Sequence, residues 1–137
     1  MEYSNLVEKA IEMMKYSHAP YSGFRVGAAL LCKDGSVYGG CNVEGSSYGN
    51  TICAERTALV KAVSEGKKDF SVLAVCASTD DICTPCGICR QMLADFSLDL
   101  VVLCANQKGQ FVVKKLSDLL PMAFTGDSLK RRRFLLQ

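Results

Sequence analysis

The sequence predicts an α/β sandwich of three layers, with a mixed five-stranded sheet and helices on both faces. Three observations predict it. Apolar runs at 26–32, 70–77 and 98–105 read as buried strands. Helical patterns at 5–16, 53–65 and 86–96 are interleaved with them. Only the short segment 106–109 separates the run ending at 105 from the apolar residues 111–113. Parallel neighbours need a crossover of about a dozen residues, so this last pair is antiparallel. The sheet is therefore expected to be parallel in its middle and antiparallel at both edges.

Taken in order, Leu6, Val7, Ala10, Ile11, Met13 and Met14 give residues 5–16 an apolar helical face. Asn5 with Glu8 has the form of a capping box, and Pro20 closes the segment. Asp34-Gly35 turns the strand at 26–32 into a second at 36–41. Residues 42–52 are polar and glycine-containing, a loop. The helix at 53–65 stops at Gly66, the strand at 70–77 is followed by a loop over 78–85, and a helix over 86–96 leads to the strand at 98–105. Ser117 is positioned to cap a short last helix before Pro121. The 137 residues suit one domain, 1–137, with no repeat or linker.

Composition narrows the function. No apolar run approaches the roughly 20 residues of a membrane span, and the first residues lack the basic-then-apolar order of a secretory signal, so a cytoplasmic protein is expected. The net charge is +2, and Lys130, Arg131, Arg132 and Arg133 leave the rest of the chain at −2. A nucleic-acid binder needs a basic face on its folded body, so a polynucleotide partner is not expected, and 126–137 reads as a solvated basic tail.

Of the eight cysteines, Cys32, Cys76 and Cys104 lie in apolar strands and read as small core residues, while Cys41 has no assignment. Cys53, Cys83, Cys86 and Cys89 remain. Cys86 and Cys89 are spaced to share one face at a helix start, and Cys53 opens another helix. Helix N-termini favour thiolates, and three thiolates there suit tetrahedral zinc with one position open. Three thiolates with Zn²⁺ carry a net negative charge, so a donor must draw charge from the sulfurs. Arg56 is the first candidate and Arg90 the next. Glu55 is the acidic group nearest in sequence for proton transfer. Spacing alone leaves a second arrangement open, in which Cys83 completes a closed four-cysteine structural site or, less consistently with Arg90-Gln91, an iron–sulfur cluster.

Cys53-Ala54-Glu55 and Pro85-Cys86-Gly87-Ile88-Cys89 resemble the zinc nucleobase deaminase signature. Ala19-Pro20-Tyr21-Ser22-Gly23-Phe24, Val26-Gly27-Ala28-Ala29, Gly40-Cys41-Asn42-Val43-Glu44, Arg56-Thr57-Ala58, Arg90-Gln91 and Leu120-Pro121-Met122-Ala123-Phe124 narrow the resemblance to the small, homotetrameric, three-cysteine cytidine deaminases. The resemblance implies one zinc per subunit on Cys53, Cys86 and Cys89, with Arg56 tuning ligand charge. It implies that Glu55 shuttles protons between water, ring N3 and the leaving amine. Ala54's N–H would hold the base carbonyl, and the backbone around Thr84 and Pro85 the departing amine. Asn42 and Glu44 would bind ribose hydroxyls. Phe24 and Phe124 would pack on the base, Phe124 from a neighbouring subunit, with Tyr48 and Ala123 in the same pocket. The implied reaction is hydrolysis of free cytidine and deoxycytidine to uridine and deoxyuridine with release of ammonia, a step of pyrimidine salvage. Glu44 would repel phosphate, which disfavours nucleotides and strands.

Two stretches depart from that pattern. Met122 stands where glycine is common, and 45–47 with 49–51 differ from the usual loop before Cys53. Both bear on pocket shape and leave room for a cytosine-bearing antibiotic as substrate. The single histidine, His18, lies between a helix end and Pro20 and reads as structural.

Overall fold

A computed structural model describes residues 1–129. Its elements are α1 (Tyr3–Met13) with a 3-10 turn (Met14–Tyr16), β1 (Val26–Cys32), β2 (Val37–Cys41), α2 (Ala54–Ser64), β3 (Phe70–Ala77), α3 (Gly87–Ala94), β4 (Val101–Ala105), β5 (Phe111–Lys115) and α4 (Leu116–Leu119). The sheet order is β2-β1-β3-β4-β5. Only β3 and β4 run parallel, joined through α3, and the flanking pairs are antiparallel, as the loop lengths require.

The period-two alternation of the strands builds two cores. Ala28, Leu30, Leu73, Val102 and Cys104 face Ala58, Leu59 and Leu93 of α2 and α3. Ala29, Ala74, Cys76 and Leu103 face Leu6, Val7 and Ala10 of α1. Helices thus cover both faces. Cys32, Cys76 and Cys104 are buried core residues. Gly27 lies flat under α1, where a Cβ would collide with the Ala10 carbonyl.

Three local expectations are corrected. The first helix begins at Tyr3, with Glu2 as its N-cap and its carbonyl accepting the N–H groups of Asn5 and Leu6. Asn5 is therefore already inside the first turn, and the early start places fully buried Leu6 in formed helix. Ser117 is not a cap: α4 starts at Leu116, whose buried side chain sets the helix phase, and Asp118 accepts the N–H of Lys115. The strand expected from 98 starts at Val101, because 98–100 carry a turn whose Leu98 and Leu100 carbonyls accept from Ser117 and Leu116. Residues 126–129 form a helical turn, and the basic run Lys130–Arg133 lies outside the described residues.

The antiparallel settings of β1 pair Val26 with Ala77 of β3 and Gly27 with Cys41 of β2. The start of β1 and the ends of β2, β3 and β4 therefore share one rim of the sheet. The loops leaving that rim carry Asn42, Glu44, Cys83 and Thr84.

Candidate active site

Two helix N-termini converge at this rim. Cys53 is the N-cap of α2 and Cys86 the N-cap of α3, with Cys89 one turn into α3. Gly40 of β2 sets where α2 begins: a Cβ there would meet the Ala54 carbonyl oxygen and the Ala58 nitrogen, so only glycine lets the strand lie against the helix start. The sulfur of Cys86 lies 3.5 Å from that of Cys53 and 3.4 Å from that of Cys89. Thiolates around tetrahedral zinc at about 2.3 Å stand roughly 3.8 Å apart, so this trio fits the ion with small adjustment.

Among the described residues, Cys53, Cys86 and Cys89 are the group whose ligand atoms all lie within 4.8 Å, and Cys83 is not in it. The four-cysteine and iron–sulfur arrangements therefore lack their fourth ligand. The Cys83 sulfur instead lies 3.8 Å from the Thr84 carbonyl, and burial pushes its thiol up to about 12, keeping it neutral.

Charge is arranged around the thiols. The Cys53 thiol is held down to about 5, first by the Cys89 thiol donating to it and then by Arg56. Cys89 is raised correspondingly, as the partner that holds the proton. Arg56, the first candidate for drawing charge from the sulfurs, sends Nη2 to within 3.8 Å of Cys53 Sγ and to the Thr51 carbonyl at 3.2 Å. Its Nε is buried with no acceptor among the described residues. Arg90 does not share this role. Its Nε donates to the Pro85 carbonyl at 2.7 Å and its Nη1 to the Leu119 carbonyl at 2.8 Å, so its guanidinium is spent on backbone.

Glu55, in the first turn of α2, is 4% exposed. Burial raises its carboxyl pKa, and the negative Cys53 adds to the rise. A carboxyl moved toward neutrality can both take and give a proton.

Beside these groups lies a cavity of about 270 Å³ lined by Phe24, Val26, Asn42, Glu44, Thr51, Cys53, Ala54, Glu55, Cys83, Thr84 and Cys86. Residues distant in sequence thus share one wall with two of the metal-ligand candidates. Ala54 is the first residue of α2, so its N–H has no acceptor within the helix. Asn42 is buried, accepting from the Val26 N–H at 2.9 Å and donating to the Phe24 carbonyl at 2.8 Å. Glu44 accepts from the Tyr21 and Ser22 N–H groups at 3.0 and 3.1 Å and from the Ser22 hydroxyl, which chiefly holds its carboxyl below the usual range. His18 serves the backbone, its N–H on the Asn42 carbonyl and its carbonyl accepting from Glu44.

Four expected pocket residues stand elsewhere. Tyr48, with φ 62°, is 72% exposed and packs edge-on to Tyr21. Pro85 is buried behind the wall. Ala123 packs on the core, and Phe124 is exposed outside this cavity. Val26, Thr51 and Cys83 line the cavity without having been singled out as its wall. For Cys83 the signal was present, two residues before Pro85, but a cysteine in C-x₂-C-x₂-C spacing invites reading as a ligand.

An α/β sandwich with three thiols on paired helix starts, a buried carboxyl beside them and a nucleoside-sized cavity defines a zinc hydrolase of the nucleobase-deaminase class. Comparison with known proteins gives the family. The profile described as the cytidine and deoxycytidylate deaminase zinc-binding region matches residues 1–105, and the chain belongs to that family. A cytidine deaminase of Halalkalibacterium halodurans is 47% identical over 130 residues, 94% of this chain and 98% of its own. The crystal structure of cytidine deaminase from Burkholderia pseudomallei superposes with a TM-score of 0.87 at 43% identity, covering 90% of this chain and 100% of that one. A blasticidin-S deaminase of Bacillus cereus is 32% identical over 88% of this chain and 90% of its own.

Proposed function

We propose that this chain is a zinc-dependent cytidine deaminase that hydrolyses free cytidine and deoxycytidine to uridine and deoxyuridine, releasing ammonia. The observation that carries the reading is the shared cavity, in which Cys53, Cys86, Ala54, Glu55, Asn42 and Glu44 meet. Cys53, Cys86 and Cys89 hold the zinc. When bound, it supplies a nucleophile by lowering the pKa of a water. Glu55 would carry two protons in turn, a first from the attacking water to ring N3 and a second from the hydroxyl added at C4 to the departing amine, for which its raised pKa suits it. The free N–H of Ala54 orients the base carbonyl, and the backbone of Thr84, on the cavity wall, faces the leaving amine. Phe24 packs on the ring. Asn42 and Glu44, fixed by backbone partners, retain an amide proton and lone pairs for ribose hydroxyls. The ionised Glu44 carboxylate disfavours a 5′-phosphate and therefore CMP or a strand.

The finer expectations have support of the same kind. Met122 at 102% exposure, Phe124 at 56% and Ile88 at 64% are apolar groups facing outward. They fit a homotetramer in which Phe124 completes a neighbour's pocket. Eight free cysteines suit a reducing cytoplasm, where nucleoside salvage runs.

The test is turnover of cytidine, deoxycytidine, cytosine and CMP by zinc-loaded protein, with Glu55→Ala as control. Conversion of both nucleosides, little of the other two, and a loss of ~10²–10⁴-fold or more in the variant is expected. No turnover of any of the four would refute the reading. Faster turnover of blasticidin S than of cytidine would transfer the assignment to cytosine-bearing antibiotics.

A further inference from the structure

Helix α3 holds two groups that the chemistry above leaves unused, Arg90 and Gln91. They are consecutive, yet both donate to the same distant segment. Arg90 Nη1 reaches the Leu119 carbonyl at 2.8 Å, and Gln91 Nε2 reaches the Phe124 carbonyl at 2.6 Å. The bonds bracket 119–124, where α4 has ended, Met122 stands in the left-handed region at φ 53° and its side chain is wholly exposed. Ala123 is the apolar anchor near the end of this stretch.

Arg90 has a second arm. Its Nε holds the carbonyl of Pro85, the residue directly before Cys86. Pro85 is fully buried and has no N–H of its own with which to be fixed. The wall formed by Cys83, Thr84 and Cys86 therefore has this guanidinium as its brace from behind. A planar fork can serve two carbonyls on separate segments, whereas a lysine ammonium is a single point.

We propose that Arg90 and Gln91 are positioning residues that make α3 the joint between the metal site and the segment presenting Phe124. Arg90 sets the Thr84–Cys86 wall, and Gln91 sets the placement of the Phe124 ring. The inference rests on the deaminase reading, and it assigns the two residues separable effects: one on chemistry and metal retention, the other on substrate affinity.

The experiment uses Arg90→Lys and Gln91→Met in the zinc-loaded full chain. Zinc transfer to a chromogenic chelator is timed without substrate, and kcat and KM for cytidine are measured per zinc-loaded molecule. Arg90→Lys is expected to release zinc about tenfold faster and to lower kcat by about 10- to 100-fold with KM little changed, the size of effect a misplacement near 1 Å produces. Gln91→Met is expected to release zinc at the unsubstituted rate and to raise KM about tenfold with kcat held. Unchanged zinc release, kcat and KM in both variants overturns the proposal even if their melting temperatures fall, since that is the mark of a merely structural role. Parallel losses in both variants overturn the division of labour. Should Arg90→Lys not fold, the half-exposed Gln91 arm still decides, because KM unchanged there removes the joint. A wild-type chain inactive on every nucleoside defeats the functional reading instead, and the zinc-release arm is read independently of it.

Discussion

Replacing Gly40 by alanine tests whether the approach of β2 to α2 places the chemistry. The added Cβ would stand 2.5 Å from the Ala58 nitrogen, against the 3.4 Å at which ordinary contact begins, and would press on the Ala54 carbonyl as well. Both are backbone atoms of the turn that carries Cys53 and Glu55, so no side chain can swing aside. The helix start must retreat by close to 1 Å, which costs about 1–3 kcal/mol as overpacking and about 10²-fold in rate as misplacement. At roughly 3–5 °C per kcal/mol for a chain of this size, the melting temperature falls by about 3–15 °C. Gly109→Ala is the control: its φ of +86° strains any side chain, yet the new Cβ meets nothing within 4 Å. It should lose about 1–2 kcal/mol of stability and keep its rate. Thermal melts of zinc-loaded protein and kcat/KM for cytidine read both quantities. A Gly40→Ala enzyme with unaltered kcat/KM, or a Gly109→Ala enzyme that loses rate as severely, would refute the reasoning.

Cys83→Ala should bind one zinc per chain with unaltered stoichiometry by metal analysis, because its sulfur stands outside the ligand trio; loss of the metal would restore the four-cysteine site. Glu44 has a carboxyl held below its ordinary 4.5, chiefly by the Ser22 hydroxyl, so its ionised form persists as pH falls through 4.5 and is lost only lower. Ser22→Ala should therefore move the acid rise in cytidine KM to higher pH, and coincident KM profiles would show that the hydroxyl does not set this carboxylate. Met122→Gly relieves a left-handed residue whose side chain meets solvent, at the expense of chain entropy in the unfolded state. A net gain below about 1 kcal/mol, seen as a melting temperature higher by a few degrees, is expected, and a fall would show that the Met122 side chain is held by contacts in the assembled protein.

What the sequence disclosed follows from where each signal resides. β1 and β3 match their expected limits because both faces are buried and the apolar run has sharp ends. The helix starts at Cys53 and Cys86 were legible because the motif residues are themselves the N-caps. Asn5 and Ser117 misled for one reason. Each has cap chemistry, but burial of Leu6 and Leu116 fixed the helix phase one or more residues earlier. Arg90 was the harder case. Its acceptors are the carbonyls of Pro85 and Leu119, and every residue has a carbonyl, so nothing in the side-chain sequence announces that pairing. Arg56, three residues after Cys53 on the same helix, was readable because i,i+3 neighbours touch.

The site divides by the elements that hold it. Cys53, Ala54 and Glu55 stand on a helix start locked to the sheet, where Gly40 leaves no space to yield, while Cys86 and Cys89 open the helix beside it. The two groups proposed for the ribose stand on loops, and each is oriented by backbone: Asn42 by Val26 and Phe24, Glu44 by Tyr21 and Ser22. Beyond Glu44 the chain closes on itself, with the Gly45 N–H directed at the Thr51 hydroxyl and Gly45 packed so tightly on the Asn50 amide that a Cβ would clash. Thr51 is both a wall of the cavity and the residue whose carbonyl receives Arg56. A change of sequence at 45–51 would therefore act on the cavity through Thr51, and on the thiols through Arg56 and the short chain that leads into Cys53.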